Sequence, residues 1–129
     1  MKWHIPENTP KFSKPLNPTV TVYSNGKIRI NSFAIWVIGL KNKDGIAFGQ
    51  DEEEKKDWYV KKDSKGFTVV LKNDGSSDSV YVSNKFICTS ILHSLELLNS
   101  EYVVFKIIPD ETKSGFSILT SNPVKVKTK

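Results

Sequence analysis

The sequence predicts an α+β fold that is mainly antiparallel β, with two short helices and an internal pseudo-twofold repeat. Short runs of β-branched and aromatic residues alternate with turn sequences rich in glycine and asparagine, a pattern typical of antiparallel strands. Two apolar segments follow helix-capping residues, which favours helices at those places. The same order of strand, helix and strand hairpin occurs in both halves of the chain.

Length and composition predict one domain with a basic surface. The chain has 129 residues, 38% of them hydrophobic and 26% charged, with a formal net charge of +5. It contains no apolar run of about 18 residues, so we expect no membrane span. Cys88 is the one cysteine, which excludes an internal disulfide and fits a reducing compartment. Residues 1–18 contain four prolines and no apolar signal core, so we expect an extended arm and a cytoplasmic protein.

Turn sequences set the limits of the predicted strands. Asn25-Gly26 favours a tight hairpin turn between the first two strands. Residues 51–57, DEEEKKD, are expected to form a solvated hairpin loop, and residues 73–78, NDGSSD, to form a linker. Residues 123–129 are predicted to be a basic tail. Strands are predicted over residues 19–23, 27–30, 45–50, 58–62, 67–72, 79–82, 102–108 and 116–120.

Each half of the chain is predicted to contain one helix. Apolar residues recur at helical spacing over residues 85–98, which predicts an amphipathic helix. Residues 33–40, FAIWVIGL, have the composition of a strand, but the corresponding segment of the other half is helical. Because Asn31 and Ser32 before this segment and Gly39 near its end are helix boundary residues, a short buried helix is predicted here as well.

The domain, residues 19–122, is predicted to contain one unit twice, in residues 27–73 and again in residues 79–122. KGFTVVLKN in the first copy parallels SGFSILTSN in the second, since each has a turn glycine, a phenylalanine, a hydroxyl residue and then mostly apolar positions. KIRINS parallels SVYVSN, a short strand followed by helix-capping residues. Such a duplication predicts a pseudo-twofold axis within a single chain.

Residues 19–73 resemble the SpoVT/AbrB-type swapped-hairpin family, which includes MazE-like antitoxins, and residues 79–122 are a looser second copy. The resemblance is carried by Val20, Val22, Asn25-Gly26-Lys27, Ile28, Ile30, Gly39-Leu40, Asp44, Phe48 and the strand Phe67–Leu71. It implies two interleaved hairpins in one small β-rich body, and binding to duplex DNA. The chain departs from the family's pattern at Asn31, where the family has proline, and in residues 33–38, which lack the family's basic residues.

The leading functional prediction is non-enzymatic binding of duplex DNA, in a regulatory or accessory role. The chain has eighteen lysines and one arginine, and lysine contacts phosphates as a point charge rather than reading base edges in pairs of hydrogen bonds. DNA is expected rather than RNA. The predicted phosphate contacts are Lys27, Arg29, Lys41 and Lys43, helped by Lys125, Lys127 and Lys129 of the tail.

Two alternatives remain open. Sheet-mounted aromatic residues beside lysines hold single-stranded nucleic acid by base stacking, although strand aromatics also pack in cores. The candidates for stacking are Tyr23, Trp58, Tyr59, Tyr81 and Tyr102. The other alternative is a protein-interaction or assembly module of phage or mobile-element origin. Its interface with a partner or a second copy would be the uncharged residues Phe33, Trp36 and Ile38.

The sequence predicts no reaction centre. Cys88, His4 and His93 lack the number and spacing of zinc ligands. The chain has no G-x-S-x-G nucleophile elbow and no phosphate-binding glycine loop. Residues 51–54 are acidic but lack the spaced pattern of a calcium loop. We therefore expect no enzymatic activity, no metal and no cofactor.

Overall fold

The computed structural model describes residues 18–73, 78–109, 116–119 and 123–129. These residues contain ten strands and two helices, and every strand pair is antiparallel, which confirms a mainly antiparallel α+β fold. The strands are β1 Thr19–Tyr23, β2 Lys27–Ile30, β3 Gly45–Gln50, β4 Trp58–Lys62, β5 Phe67–Thr68, β6 Val70–Asn73, β7 Asp78–Ser83, β8 Ser100–Pro109, β9 Phe116–Leu119 and β10 Lys125–Thr128; the helices are α1 Ser32–Ile38 and α2 Lys85–Ser94.

The strands form a sheet in two parts that share β8. Sheet A has the order β10-β8-β1-β2-β7-β6, and sheet B has the order β8-β9-β4-β3-β5. The ten-residue β8 pairs with β1 and β10 through residues 100–106, and with β9 through Ile107–Pro109. One long strand therefore belongs to both parts.

Alternate side chains of sheet A form the core of the protein. Val20 and Val22 of β1 lie opposite Phe105 and Val103 of β8, and all four are fully buried. Burial of an aliphatic side chain of this size contributes about 1.5–3 kcal/mol. The same cluster includes Ile28, Ile30, Val80 and Val82 of sheet A, Ile46, Trp58 and Val60 of sheet B, Ala34 of α1, and Cys88, Ile91 and Leu92 of α2. Sheet A thus has an inner face, covered by the helices and sheet B, and an outer face directed away from the core.

Helix α1 forms where it is predicted, in spite of its strand-like composition, but the expectation that it is buried is wrong, since Ala34 is its one buried residue and Phe33 and Trp36 are exposed. The Asn31 side chain accepts a hydrogen bond from Ala34 N at 2.9 Å and so caps the helix. Gly39 ends it in the left-handed conformation, with φ 81°, and donates its N–H to Ile35 O. Between these two boundary residues, Ala34 packs against the core. Capping and burial therefore outweigh the low intrinsic helix propensity of the segment.

Three sequence-based boundaries differ from the structure. The predicted strand over residues 67–72 is wrong, because the chain breaks at the buried Val69 into β5, which pairs with β3, and β6, which pairs with β7. Val69 leaves the ladder because its N–H and carbonyl bond the loop at residues 43–44. Helix α2 ends at Ser94 rather than residue 98, and residues 125–128 of the predicted tail form β10 against β8.

Several predicted segments lie wholly or partly outside the described residues: residues 1–17 of the arm, residues 74–77 of the linker, residues 110–115 between the last two predicted strands, and residues 120–122 at the end of the predicted domain. The predicted acidic loop at residues 51–57 is described and largely exposed, and it connects β3 to β4. Among the described helices, neither is long and apolar enough to cross a membrane.

Asn31 should matter more for stability than its counterpart in α2. Its Oδ1 accepts from Ala34 N at 2.9 Å and also from Thr19 N at 3.0 Å, whereas Asn84 Oδ1 accepts from Ile87 N at 2.9 Å. We expect Asn31→Ala to lower the free energy of unfolding by about 2 kcal/mol and Asn84→Ala by about 1 kcal/mol, measured by urea denaturation. Asn31→Asp keeps the acceptor and serves as the control. Equal losses for the two alanine variants would contradict the bridging role of Asn31.

Candidate nucleic-acid interface

Most of the basic residues and tyrosines in the strands of sheet A lie on its outer face. Successive side chains of a strand point to opposite faces, so the residues that alternate with the core residues lie on the outer face, although Thr19, Thr21 and Ser79 among them are themselves buried. These residues are Lys125 and Lys127 of β10, Tyr102, Val104 and Lys106 of β8, Thr19, Thr21 and Tyr23 of β1, Lys27 and Arg29 of β2, Ser79, Tyr81 and Ser83 of β7, and Val70 and Lys72 of β6.

The outer face carries six cations and no carboxylate at these positions. Among the described acidic side chains, Glu101 near the start of β8 reaches this face, with its Oε2 3.4 Å from Lys127 Nζ. Both side chains of this pair are about half exposed, so solvent screens the attraction and the lysine stays available to another anion. The face therefore has a positive potential that favours polyanions.

Three of the four tyrosines of the chain lie on the outer face, next to lysines. The rings of Tyr23 and Tyr102 are 5.6 Å apart at an interplanar angle of 51°. Lys125 Nζ and Lys127 Nζ lie 5.7 Å and 5.9 Å from the centre of the Tyr102 ring. The three rings are neither fully buried nor fully exposed. This end of the face is thus a tilted aromatic pair beside two ammonium groups.

The other end of the face has a second aromatic group with the same chemistry. Lys27 Nζ and Lys72 Nζ each lie 5.3 Å from the centre of the Tyr81 ring. Tyr81 pairs in register with Arg29, which in turn pairs with Thr21. Strand β2 therefore runs between the Tyr23–Tyr102 pair and Tyr81, and it places its basic side chains between the two.

The structure brings together four of the seven predicted contact residues, and Lys129 follows the end of β10, where its backbone N–H donates to Asn99 O at 3.1 Å. Lys27, Arg29, Lys125 and Lys127 share the outer face. Lys41 and Lys43 do not join them, because they lie on the loop after α1, which bonds Val69 and the edge strand β6. Strand β6 is at one edge of sheet A and β10 is at the other, so these two lysines are far from the β10 lysines.

The loop that carries Lys41 and Lys43 is also partly neutralised. A hydrogen bond from the Lys41 backbone amide lowers the pKa of Asp44, with a smaller effect from Lys62, whose Nζ lies 3.2 Å from Asp44 Oδ2. The carboxylate is therefore ionised over the physiological pH range and offsets part of the local positive charge. This loop is a weaker polyanion site than the outer face.

Sequence reasoning missed Lys72 and Lys106, which both lie on the outer face. The signal was present: Tyr102, Val104 and Lys106 alternate with buried residues at a period of two. Among the predicted stacking residues, Trp58 is a core residue whose Nε1 donates to Ser94 Oγ at 2.9 Å. Tyr59 lies on sheet B, so it does not contribute to this face.

A different surface surrounds the exposed side of α1. The side chain of Trp36 is 85% exposed and that of Phe33 is 41% exposed. Trp36 lines an open groove of about 520 Å³ together with Ile35, Leu40 and Leu71. Ile38, predicted to belong to the same interface, instead packs against the core. The apolar surface of α1 is therefore centred on Trp36.

Cys88 has the environment of a structural thiol. It is fully buried, and its Sγ lies 3.6 Å from Lys27 O. Burial raises the pKa of the Cys88 thiol from an ordinary value near 9.0 to about 11. Because the thiolate is the nucleophile, this thiol is unreactive at neutral pH. In the described part of the chain, no three His, Cys, Asp or Glu side chains are grouped so that they could hold a metal ion.

The chain matches no family model, no curated protein and no solved structure. The outer face is therefore interpreted from its own chemistry.

Alkaline pH should weaken the fold through Cys88. Below pH 9.0 the thiol is protonated in both states, but between pH 9 and about 11 the unfolded thiol ionises while the buried one does not. We expect the free energy of unfolding to fall more steeply over this range in the natural protein than in Cys88→Ala. Urea denaturation at pH 8, 9, 10 and 11 measures the difference. Identical pH profiles would contradict the raised pKa.

Proposed function

We propose that this protein is a non-enzymatic nucleic-acid-binding protein whose outer face holds a single strand. The observation that carries the proposal is the presence of three tyrosines and six cations on one face of sheet A, with no carboxylate at those positions. Single strands bind to such surfaces through bases that stack on aromatic rings and phosphates that contact lysines.

The lysines over the tyrosine rings are compatible with base stacking. A lysine at 5.3–5.9 Å from an exposed ring contributes about 0.5–1 kcal/mol, whereas stacking of a base contributes about 1–3 kcal/mol. The long side chains can therefore leave the rings when a base arrives. The freed ammonium groups would then contact the flanking phosphates, so ring and charge act on the same nucleotide.

Duplex DNA is the second candidate ligand for the same face. It is favoured by a proposed internal symmetry in which the hairpins β1–β2 and β6–β7 lie back to back, with β2 paired to β7. In each half an asparagine follows directly and caps a helix, Asn31 for α1 and Asn84 for α2. A twofold axis between β2 and β7 would match the symmetry of a duplex. The tyrosines, however, would have no unpaired bases to stack on.

The same symmetry supports a revised form of the predicted repeat and of the swapped-hairpin resemblance. We propose that the units are residues 19–62 and 67–119, in which β1 corresponds to β5–β6, β2 to β7, β3 to β8 and β4 to β9. Three strand pairings support these units. Strand β4 pairs with its own counterpart β9, β2 pairs with its own counterpart β7, and the β3–β5 pair corresponds to the β8–β1 pair.

The departure from the swapped-hairpin family at Asn31 has a structural consequence. Asn31 N donates to Thr19 O at 3.2 Å, a bond that the family's proline would lack.

Assembly through α1 is a separate proposal, supported by the exposure of Trp36 and Phe33. It concerns a partner or a second copy on the opposite side of the molecule from the outer face, since α1 covers the inner face. Binding of nucleic acid and assembly are therefore compatible.

Loss of one ring from the outer face should weaken binding to a single strand. We expect Tyr102→Ala to reduce the affinity for a fluorescein-labelled thymidine dodecamer by roughly 5- to 150-fold, the equivalent of about 1–3 kcal/mol of stacking. Tyr102→Phe keeps the ring and should bind like the natural protein. Tyr59→Ala removes a tyrosine from sheet B and is the matched control. Fluorescence anisotropy at two salt concentrations provides the measurement.

The same titrations separate the two ligand candidates. A single-strand site predicts weaker binding of a duplex dodecamer, and affinity that falls with salt. Tighter duplex binding that is unaffected by Tyr102→Ala would select the duplex candidate. The absence of binding to either DNA or RNA at low salt would contradict the proposed function.

Trp36 should control assembly without affecting stability. We expect Trp36→Ala to change the free energy of unfolding by less than about 0.5 kcal/mol, because the side chain is 85% exposed. If α1 is an interface, the natural protein forms an oligomer at micromolar concentration and Trp36→Ala is monomeric, as measured by light scattering after size exclusion. Phe86→Ala, which removes an exposed aromatic from α2, is the control. A natural protein that is monomeric at all concentrations would exclude assembly of copies through α1.

A further inference from the structure

Arg29 is the one arginine of the chain, and it lies in the middle of the outer face. Its Cα pairs with those of Thr21 on β1 and Tyr81 on β7. Thr21 pairs in turn with Val104 of β8. The arginine therefore has a ring on one side and two small side chains on the other. Because Thr21 is buried, a ligand that crosses this row of the face contacts the guanidinium group and then the Tyr81 ring.

The strand register fixes the separation of the two aromatic groups. Tyr23 is two strands from Tyr81 across the sheet, and its register row, which contains Tyr102, is two residues away from the row of Tyr81 along the strands. With strands about 4.8 Å apart and residues about 3.4 Å apart, the two Cα atoms are about 12 Å apart. Stacked bases are about 3.4 Å apart. Bases on the two groups are therefore not adjacent in a stack, and a strand of about four nucleotides reaches both.

Arginine and lysine differ in how they hold a phosphate. A guanidinium group forms two parallel hydrogen bonds to a phosphate in a fixed plane, whereas an ammonium group acts as a compact point charge. Four described lysines lie over the tyrosine rings, namely Lys27, Lys72, Lys125 and Lys127. The one group that fixes the orientation of a phosphate thus stands between the two aromatic groups.

We infer that the outer face is a site for about four nucleotides of single strand, in which one base stacks at Tyr23–Tyr102, another stacks at Tyr81, and Arg29 binds a phosphate between them. The inference rests on the proposed function and adds the length of the ligand and the residue that fixes its position. Lys72 at one end, and Lys125 and Lys127 at the other, contact the outer phosphates, and Lys27 lies two positions from Arg29 on β2.

Thymidine oligonucleotides of two, three, four, six and eight residues test the length. They compete with a labelled dodecamer in anisotropy titrations of the full chain. The inference predicts an affinity gain of more than tenfold between two and four residues, and a small statistical gain beyond four. A gradual rise in affinity up to eight residues, with no step, overturns the four-nucleotide site but leaves the proposed function standing. No competition and no dodecamer binding overturns both.

A charge-conserving exchange tests Arg29. Arg29→Lys keeps the charge and should lower the affinity for the four-residue oligonucleotide at least tenfold, while Lys27→Arg should not lower it. The double variant R29K/K27R moves the one arginine to position 27 and should remain as weak as R29K. Recovery of affinity in the double variant, or no loss in R29K, overturns the role of Arg29. Thermal unfolding of each variant by circular dichroism verifies that the fold is retained.

Discussion

The alternation of side chains along β8 determines both the core and the outer face. Val103, Phe105 and Ile107 are fully buried, whereas Tyr102, Val104 and Lys106 lie between them on the opposite side. The strand pairs with β1 on one edge and with β9 and β10 on the other, so it joins sheet A to sheet B. A shift of one residue in its register would bury a lysine and expose the core, which makes the register a strong constraint.

The capping asparagines connect this constraint to the helices. The side chain of Asn31 accepts hydrogen bonds from Thr19 N at the start of β1 and from Ala34 N in α1. The N-terminus of the helix is therefore attached to the strand that pairs with β8. The helices and sheet B cover the inner face, and the apolar side chains of that face pack against them in the core. The outer face is left with residues that the fold does not require to be apolar.

Local signals in the sequence predicted most of the elements but not their long-range pairing. The hydrogen bonds of the Asn25-Gly26 turn and of both helix N-caps join residues close in sequence, so these features could be predicted from the local sequence. The break at Val69 and the strand β10 could not be predicted in this way, because each depends on residues distant in sequence. Val69 bonds the loop at residues 43–44, and β10 pairs with an edge of β8. The same distinction holds for the residues of the outer face. Lys27 and Arg29 were predicted from the local hairpin sequence, whereas Lys106 could be assigned to this face only from the alternation of β8 and its pairing with β1.

Chemical-shift mapping tests the central claim that the outer face of sheet A is the binding surface. A ¹⁵N-labelled sample of the full chain is titrated with a single-stranded octanucleotide at low salt. We expect the largest shifts to fall on Tyr102 and Lys106 of β8, Arg29 of β2 and Tyr81 of β7. Shifts centred on α1 or on residues 41–44, or no shifts at all, would contradict it.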